Sequence, residues 1–323
     1  MADDLIICTR NRPQDLARCL ESVRAQSLVS TCTTIVDSSD DDASKRVVDE
    51  LAARWPGGHS LVYLHSEPGL VHQRIVGLQA TREPIVHYVD DDTVLEPGYI
   101  RGILATFAAY DERDVGGVGG YVTDQPEHRF RPVDEWLGLD SRHEGVVLRS
   151  GRNVRVYTEP PGNIEVDWLP GCAMSYRRAA LEAVPPDERV GRNRNGEDVE
   201  LSYRVRQHWR LVITPQARLA HITSDVGRPS VEKLTTVELV SRWERVRAGT
   251  GILDERAFWR SAFGQLAWYA VKSAATLSSR RWGIARATWR GIHEILLLRA
   301  ASTPVATPVR STRDDAHPAE RAA

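Results

Sequence analysis

His87-Tyr88-Val89-Asp90-Asp91-Asp92-Thr93 decides how the chain is read, because three consecutive carboxylates stand directly behind the apolar run Ile85-Val86-His87-Tyr88-Val89. A short β-branched run after a proline reads as a buried strand, so the acids fall at its C-terminal end, where open α/β sheets bind ligands. Like charges this close repel and raise one another's pKa unless a cation sits among them. A hard divalent ion such as Mn²⁺ or Mg²⁺ takes oxygens from one or two carboxylates and fills its shell with water and phosphate. Taken alone, the triplet fits a metal and diphosphate site and a solvated acidic turn equally well, since Asp also favours turns and N-caps.

The flanking chain tips that balance. Leu5-Ile6-Ile7-Cys8-Thr9 reads as a strand ending in Arg10-Asn11-Arg12-Pro13, with a helix behind it carrying Leu16, Leu20 and Val23 on one face. Thr34-Ile35-Val36 is a second strand ending at Asp37, the place where dinucleotide folds put a carboxylate against a ribose or base. No Gly-x-Gly-x-x-Gly accompanies the first turn, which argues against NAD or FAD. Ser60 to Leu64 is a third strand, and Pro68-Gly69 leads into a helix bearing Arg74, a candidate phosphate or carboxylate fork as well as an ordinary solvated arginine. Three βα units thus bring Thr9, Asp37 and the Asp triplet to one sheet edge, and that convergence favours the metal reading.

Farther along, the Gly-rich strand from Val115 to Tyr121 predicts backbone approached closely by something. Residues 124 to 165 are polar and predict a long excursion over the site. Gly196-Glu197-Asp198 opens a helix, where acids complement the macrodipole and could equally be a structural cap. His221 follows the strand Leu211 to Thr214, as a structural histidine unless other ligands converge on it.

The ordered set Thr9-Arg10-Asn11-Arg12, Asp37, Gly69 to Gly77 with Arg74, Val89-Asp90-Asp91-Asp92, Trp168 to Arg178 and Gly196-Glu197-Asp198 resembles the inverting glycosyltransferases of family 2, with their GT-A fold, over about Leu5 to His221. The resemblance implies an α/β fold in which a Rossmann-like mixed sheet is flanked by helices. It implies that Thr9, Arg10 and Asp37 meet the nucleotide and that Arg74, Asp90 and Asp91 help to hold it. Asp92 would bind Mn²⁺ or Mg²⁺, His221 would be a further metal ligand, and Asp198 would be the general base, with Glu197 the second choice. The implied donor is a UDP- or dTDP-sugar and the acceptor a saccharide or lipid-linked hydroxyl. Two departures stand out: Ile75 where the family commonly has Asn, and Cys172-Ala173 on the acceptor side. A sugar nucleotidyltransferase is the rival enzyme, but it would be expected to carry a Gly- and Lys-rich loop where Arg10-Asn11-Arg12-Pro13 stands. A non-catalytic nucleotide-sugar-binding module is the other alternative, and intact Asp92 and Asp198 speak against it.

Composition bounds the setting. The 323-residue chain has a formal charge of −2, so no global argument for nucleic acid arises, and its four cysteines lack metal-type spacing. With no secretory signal at Met1 and no apolar run of about 18 residues, a cytoplasmic protein is expected. Five of nine Trp crowd the last quarter. Residues 1–225 are expected to form the catalytic domain, 226–300 an amphipathic helical region, and 301–323 a disordered tail. Trp and Arg mixed over 256–298 fit a peripheral position at the inner membrane face, or packing against the catalytic domain or a second subunit in an oligomer.

Overall fold

The computed structural model describes residues 1–125, 127–187, 196–222, 229–248 and 251–301. The 225/226 boundary, and the expected tail beyond Ala301, lie outside the described residues.

Nine strands form one mixed sheet: β1 (Asp3–Thr9), β2 (Cys32–Asp37), β3 (Ser60–His65), β4 (Ile85–Asp90), β5 (Thr93–Leu95), β6 (Val115–Val122), β7 (Ile164–Val166), β8 (Ala173–Arg177) and β9 (Arg210–His221). Their order is β3-β2-β1-β4-β8-β6-β9-β5, with β7 also on β9. The first four strands pair in parallel, so their C-terminal ends share one edge. Strand β8 runs antiparallel to both β4 and β6, which brings its N-terminus to that same edge. Strand β9 is parallel to β6, and β5 folds back to pair Thr93 with His221.

The period-two alternation of these strands builds a core on each face. Leu5, Ile7, Ile85 and Val89 point to one side, under α1 (Pro13–Arg24), α2 (Ala43–Ala52) and α4 (Tyr99–Ala108). Ile6, Val86, Tyr88, Met174 and Tyr176 point to the other, with α6 (Arg178–Ala183) and α7 (Glu197–Val205), while α3 (Leu70–Ala80) lies across β1 and β2. The close approach expected along the Gly-rich strand comes from the protein itself. A Cβ at Gly116 would lie 2.6 Å from Trp209, and one at Gly120 would lie 2.4 Å from the Tyr99 ring.

The excursion after β6 holds one short helix, α5 (Pro132–Trp136), and an isolated bridge between Val147 and Asn153. Three helices complete the described chain: α8 (Val231–Arg247), α9 (Glu255–Thr276) and α10 (Ser279–Ala301). They share their own core, in which Trp243 stacks near Phe258 and Trp259 at ring distances of 5.2 and 5.3 Å. No described helix is long and apolar enough to cross a membrane.

Candidate active site

The sheet edge gathers the residues that the sequence scattered. Strand β4 ends in Asp90, and the turn behind it carries Asp91 and Asp92. The β5–β9 pairing then swings His221 over the turn, placing its Nε2 2.9 Å from Asp92 Oδ1 and 4.0 Å from Asp90 Oδ2. Ligand atoms of Asp90, Asp92 and His221 all lie within 4.8 Å of one another. Burial works against a charge on His221, yet its hydrogen bonds to Asp92 and Cys172 hold the imidazolium up to about 11.

Each acid at this edge has a cationic neighbour. Arg12 Nη1 stands 3.2 Å from Asp91 Oδ1 and 3.7 Å from Asp92 Oδ2. Thr9 donates its hydroxyl to Asp91 Oδ2 at 2.7 Å. Burial nonetheless pushes the Asp91 carboxyl up to about 7, with Asp90 and Asp92 adding to the rise and the Thr9 and Arg12 contacts opposing it. Arg74 is 4% exposed and bridges two elements, pairing with Glu197 Oε1 at 3.1 Å and Asp90 Oδ1 at 3.6 Å and donating to the Gly171 carbonyl at 3.3 Å. Its guanidinium is thus engaged by protein groups from three segments.

The nominated residues fall into distinct places. Thr9, Arg10, Asp90, Asp91, Asp92 and His221 line a cavity of about 580 Å³ together with Arg12 and Gln73. Arg10 reaches out to Asp40 at 3.5 Å, with half of its side chain in solvent. Asp37 lies apart from that cavity wall. It is fully buried, with Oδ1 accepting from the backbone and hydroxyl of Ser39 and Oδ2 from the Tyr63 hydroxyl at 2.9 Å. In this structure it holds the turn after β2, because a carboxylate at the end of a buried strand collects the nearest donors.

A second cavity, of about 480 Å³, lies on the opposite side of the cluster and shares Leu70, Asp90 and His221 with the first. Asp198 faces it from the first turn of α7, with Oδ2 held by the Gly171 amide at 3.0 Å and Oδ1 by the Val199 amide at 2.8 Å. Glu197 beside it is committed to Arg74, and burial together with Asp198 raises its carboxyl above the ordinary value.

Sequence reasoning passed over Arg12 as a partner of the acids, although it stands within the quoted Thr9 to Arg12 motif. It also missed Arg242 and Arg245, which enter the second cavity from α8. Arg242 carried a signal, since it lies three residues after Leu239 and four before Val246 on one side of the helix, where a solvated cation does not belong, whereas Arg245 lies farther round and carried none.

Residues 4–184 match the sequence profile of Glycosyl transferase family 2. The chain belongs to that family. Over 115 residues it is 30% identical to EpsH of Bacillus subtilis (strain 168), whose own assignment as a glycosyltransferase is provisional; the match covers 35% of this chain and 32% of EpsH. Among solved structures, the mannosyltransferase PcManGT of Pyrobaculum calidifontis, in complex with GDP-Man and Mn²⁺, superposes with a TM-score of 0.58 at 15% identity. That likeness covers 93% of this chain and 88% of PcManGT. GalNAc-T7 with UDP, GalNAc and Mn²⁺ gives 0.57 at 15% identity over 86% of this chain, which spans just 57% of that protein. S. aureus TarS 1-349 with UDP-GlcNAc gives 0.55 at 14% identity over 89% and 79% of the two chains. These likenesses establish the GT-A fold of this family 2 chain.

Proposed function

We propose that this chain is a metal-dependent, inverting glycosyltransferase that moves a sugar from a nucleoside diphosphate donor to an acceptor hydroxyl. The observation carrying the reading is that two cavities meet at Asp90 and His221, with Asp198 facing the second and, among the described residues, held by backbone amides and not by an ion pair. The nucleotide occupies the Thr9 to Arg12 cavity, and a UDP- or dTDP-sugar is the donor expected from the family resemblance. PcManGT was solved with GDP-Man and Mn²⁺ and GalNAc-T7 with UDP, GalNAc and Mn²⁺, which supports a nucleoside diphosphate donor and a divalent metal for this fold.

Two carboxylates and an imidazole suit Mn²⁺, and the carboxylates alone would also accept Mg²⁺. When bound at Asp90, Asp92 and His221, such an ion supplies Lewis-acid stabilisation of the leaving diphosphate. The chain's own residues do the rest. Arg12 fixes Asp91 and Asp92, and Arg74 ties Asp90 to Glu197 so that the two sides of the site keep their spacing. Asp198 accepts the acceptor's hydroxyl proton as that oxygen attacks the anomeric carbon from the face opposite the diphosphate. One base and one displacement invert the configuration. The role lies with Asp198 because Glu197 is held by the Arg74 guanidinium at 3.1 Å.

The acceptor is a saccharide or a lipid-linked hydroxyl. A surface position beside a membrane is supported by α10, where Trp282, Trp289 and Leu296 stand exposed at seven-residue intervals with Arg286 and Arg290 beside them. Flotation on anionic vesicles, lost on Trp282→Ser with Trp289→Ser, checks that placement; unchanged flotation removes it.

The function itself is tested by proton NMR of donor turnover with UDP- and dTDP-hexoses in Mn²⁺. The first sugar released or transferred carries the inverted anomer, and Asp198→Asn suppresses it. A retained anomer, or normal turnover by Asp198→Asn, contradicts the assignment.

A further inference from the structure

Four arginines, Arg152, Arg155, Arg242 and Arg245, stand in the wall of the cavity that holds Asp198. Arg242 and Arg245 rise from α8 and are 2% and 5% exposed. The Arg242 guanidinium meets neutral partners, donating to the Ser150 carbonyl at 3.4 Å and the Ser261 hydroxyl at 2.7 Å, and its Nε has no hydrogen-bond partner among the described residues. Arg245 donates to the Gly151 carbonyl at 2.6 Å and the Gly196 carbonyl at 3.1 Å, with the Glu200 carboxylate a loose 3.6 Å from its Nε. Arg152 donates to Gln265 at 3.1 Å and has Glu238 at 3.7 Å. Among the described residues no carboxylate lies within 4.0 Å of the Arg155 guanidinium, which is exposed to the cavity mouth.

Buried cations normally meet carboxylates, because taking a charge out of water against neutral dipoles alone is expensive. Here most acids of the same cavity are held elsewhere, Asp90 and Glu197 by Arg74 and Asp198 by two backbone amides, which leaves Glu238, 3.7 Å from Arg152, to offset the arginines. Burial, with Arg152 and Arg245 close by, pushes the Arg242 guanidinium down to about 9. Among the described residues Glu238 and Glu200 are fewer than the four arginines they face, so the α8 side of the cavity keeps a net positive charge. It is also separate from the diphosphate pole of the site, since none of the four arginines lines the Thr9 to Arg12 cavity.

We infer that this corner of the cavity binds a phosphoryl group carried by the acceptor, an inference that rests on reading the Asp198 side as the acceptor site. Several guanidiniums converging from α8 and from residues 152–155 offer more donors than a carboxylate has lone pairs to fill, and they match the three terminal oxygens of a phosphate monoester. Phosphate on a sugar and phosphate on an isoprenoid lipid share this chemistry. Glu238, lining the same wall, opposes such an anion and tunes its affinity.

The test is calorimetric titration of the full chain already saturated with UDP and Mn²⁺, so that the donor pole is filled. The probes are glucose 1-phosphate, a short-chain isoprenyl phosphate and, as the neutral control, glucose. Both phosphates bind and glucose does not; Arg152→Gln weakens them about tenfold, and Glu238→Gln tightens them by a few-fold. Arg242→Gln abolishes binding if it folds, and Arg152→Gln at the cavity wall decides the matter if it does not. Tighter binding of the isoprenyl phosphate assigns a lipid carrier, and equal binding assigns a phosphosaccharide. Failure of both phosphates on UDP-loaded protein, or insensitivity to Arg152→Gln and Glu238→Gln, overturns the inference. Failure of UDP and Mn²⁺ to bind at all is a different result, and it strikes the proposed function instead.

Discussion

The sheet edge and helix α8 handle buried charge in opposite ways. In the turn after β4, acids crowd together but each has a cationic neighbour: Arg12 serves Asp91 and Asp92, Arg74 serves Asp90, and His221 serves Asp92. On α8, Arg242 is buried against Ser150, Ser261 and the face of Phe258, with no carboxylate in salt-bridge contact among the described residues and Glu238, one turn earlier on the helix, the acid that favours its charge. The edge pairs its acids with protein cations yet keeps ligand atoms of Asp90, Asp92 and His221 within 4.8 Å of one another for a divalent ion, which His221 meets as a neutral imidazole. The α8 wall instead presents guanidiniums. A site whose charges are already paired is held rigid for chemistry. One left unpaired forgoes stability to gain affinity for a counter-ion.

The largest effect expected is on turnover. Asp198→Asn keeps the side chain's shape but cannot take a proton, so kcat falls by about 10²- to 10⁴-fold while UDP and Mn²⁺ still bind. Steady-state kinetics with nucleotide titration separates the two. The next pair of variants breaks the comparison directly. Arg12→Met strips a cation from two nearly buried acids and lowers unfolding free energy by about 3 kcal/mol, somewhat less if water reaches the half-open side. Arg242→Met removes an uncompensated buried cation and raises stability by about 1 kcal/mol in ligand-free protein. Urea denaturation reads both, and the same sign for the two would erase the contrast.

The smallest effect lies far from the site. Burial pushes Asp3 up, but its contact with His87, 3.1 Å away, wins and holds the carboxyl below its ordinary value. A depressed folded pKa adds stability above the unfolded carboxylate value, and that stability is lost as pH falls through the folded one. Asp3→Asn should therefore flatten the acid limb of the stability curve below about pH 4, while the wild type declines there.

Much of this architecture was legible in the chain. Short apolar runs ending in Thr9, Asp37 and Asp90 announce parallel strands, and their order alone fixes which ends share an edge. Other features were hidden for physical reasons. That Ser39 and Tyr63 donate to Asp37 was not legible, because Tyr63 comes from a strand whose pairing no local pattern specifies. Asp90 reads as a ribose or supporting acid, yet it joins Asp92 and His221 in one cluster, because the β5–β9 pairing that delivers His221 spans more than a hundred residues. Arg242 of α8 was visible as a polar residue on an apolar face, but what it faces depends on the excursion through residues 138–152, where the sequence offers composition without periodicity.

The central claim is a metal-dependent nucleotide site at Asp90, Asp92 and His221, and the most direct measurement is a thermal-shift panel of UDP, dTDP, GDP and ADP with and without Mn²⁺. At a hundredfold excess over its dissociation constant a ligand adds about 2.7 kcal/mol to the folded state. The account predicts that UDP or dTDP raises Tm with Mn²⁺ present, that the rise shrinks without it, and that Asp92→Ala abolishes it. No shift with any nucleotide, or an undiminished shift in Asp92→Ala, would contradict it.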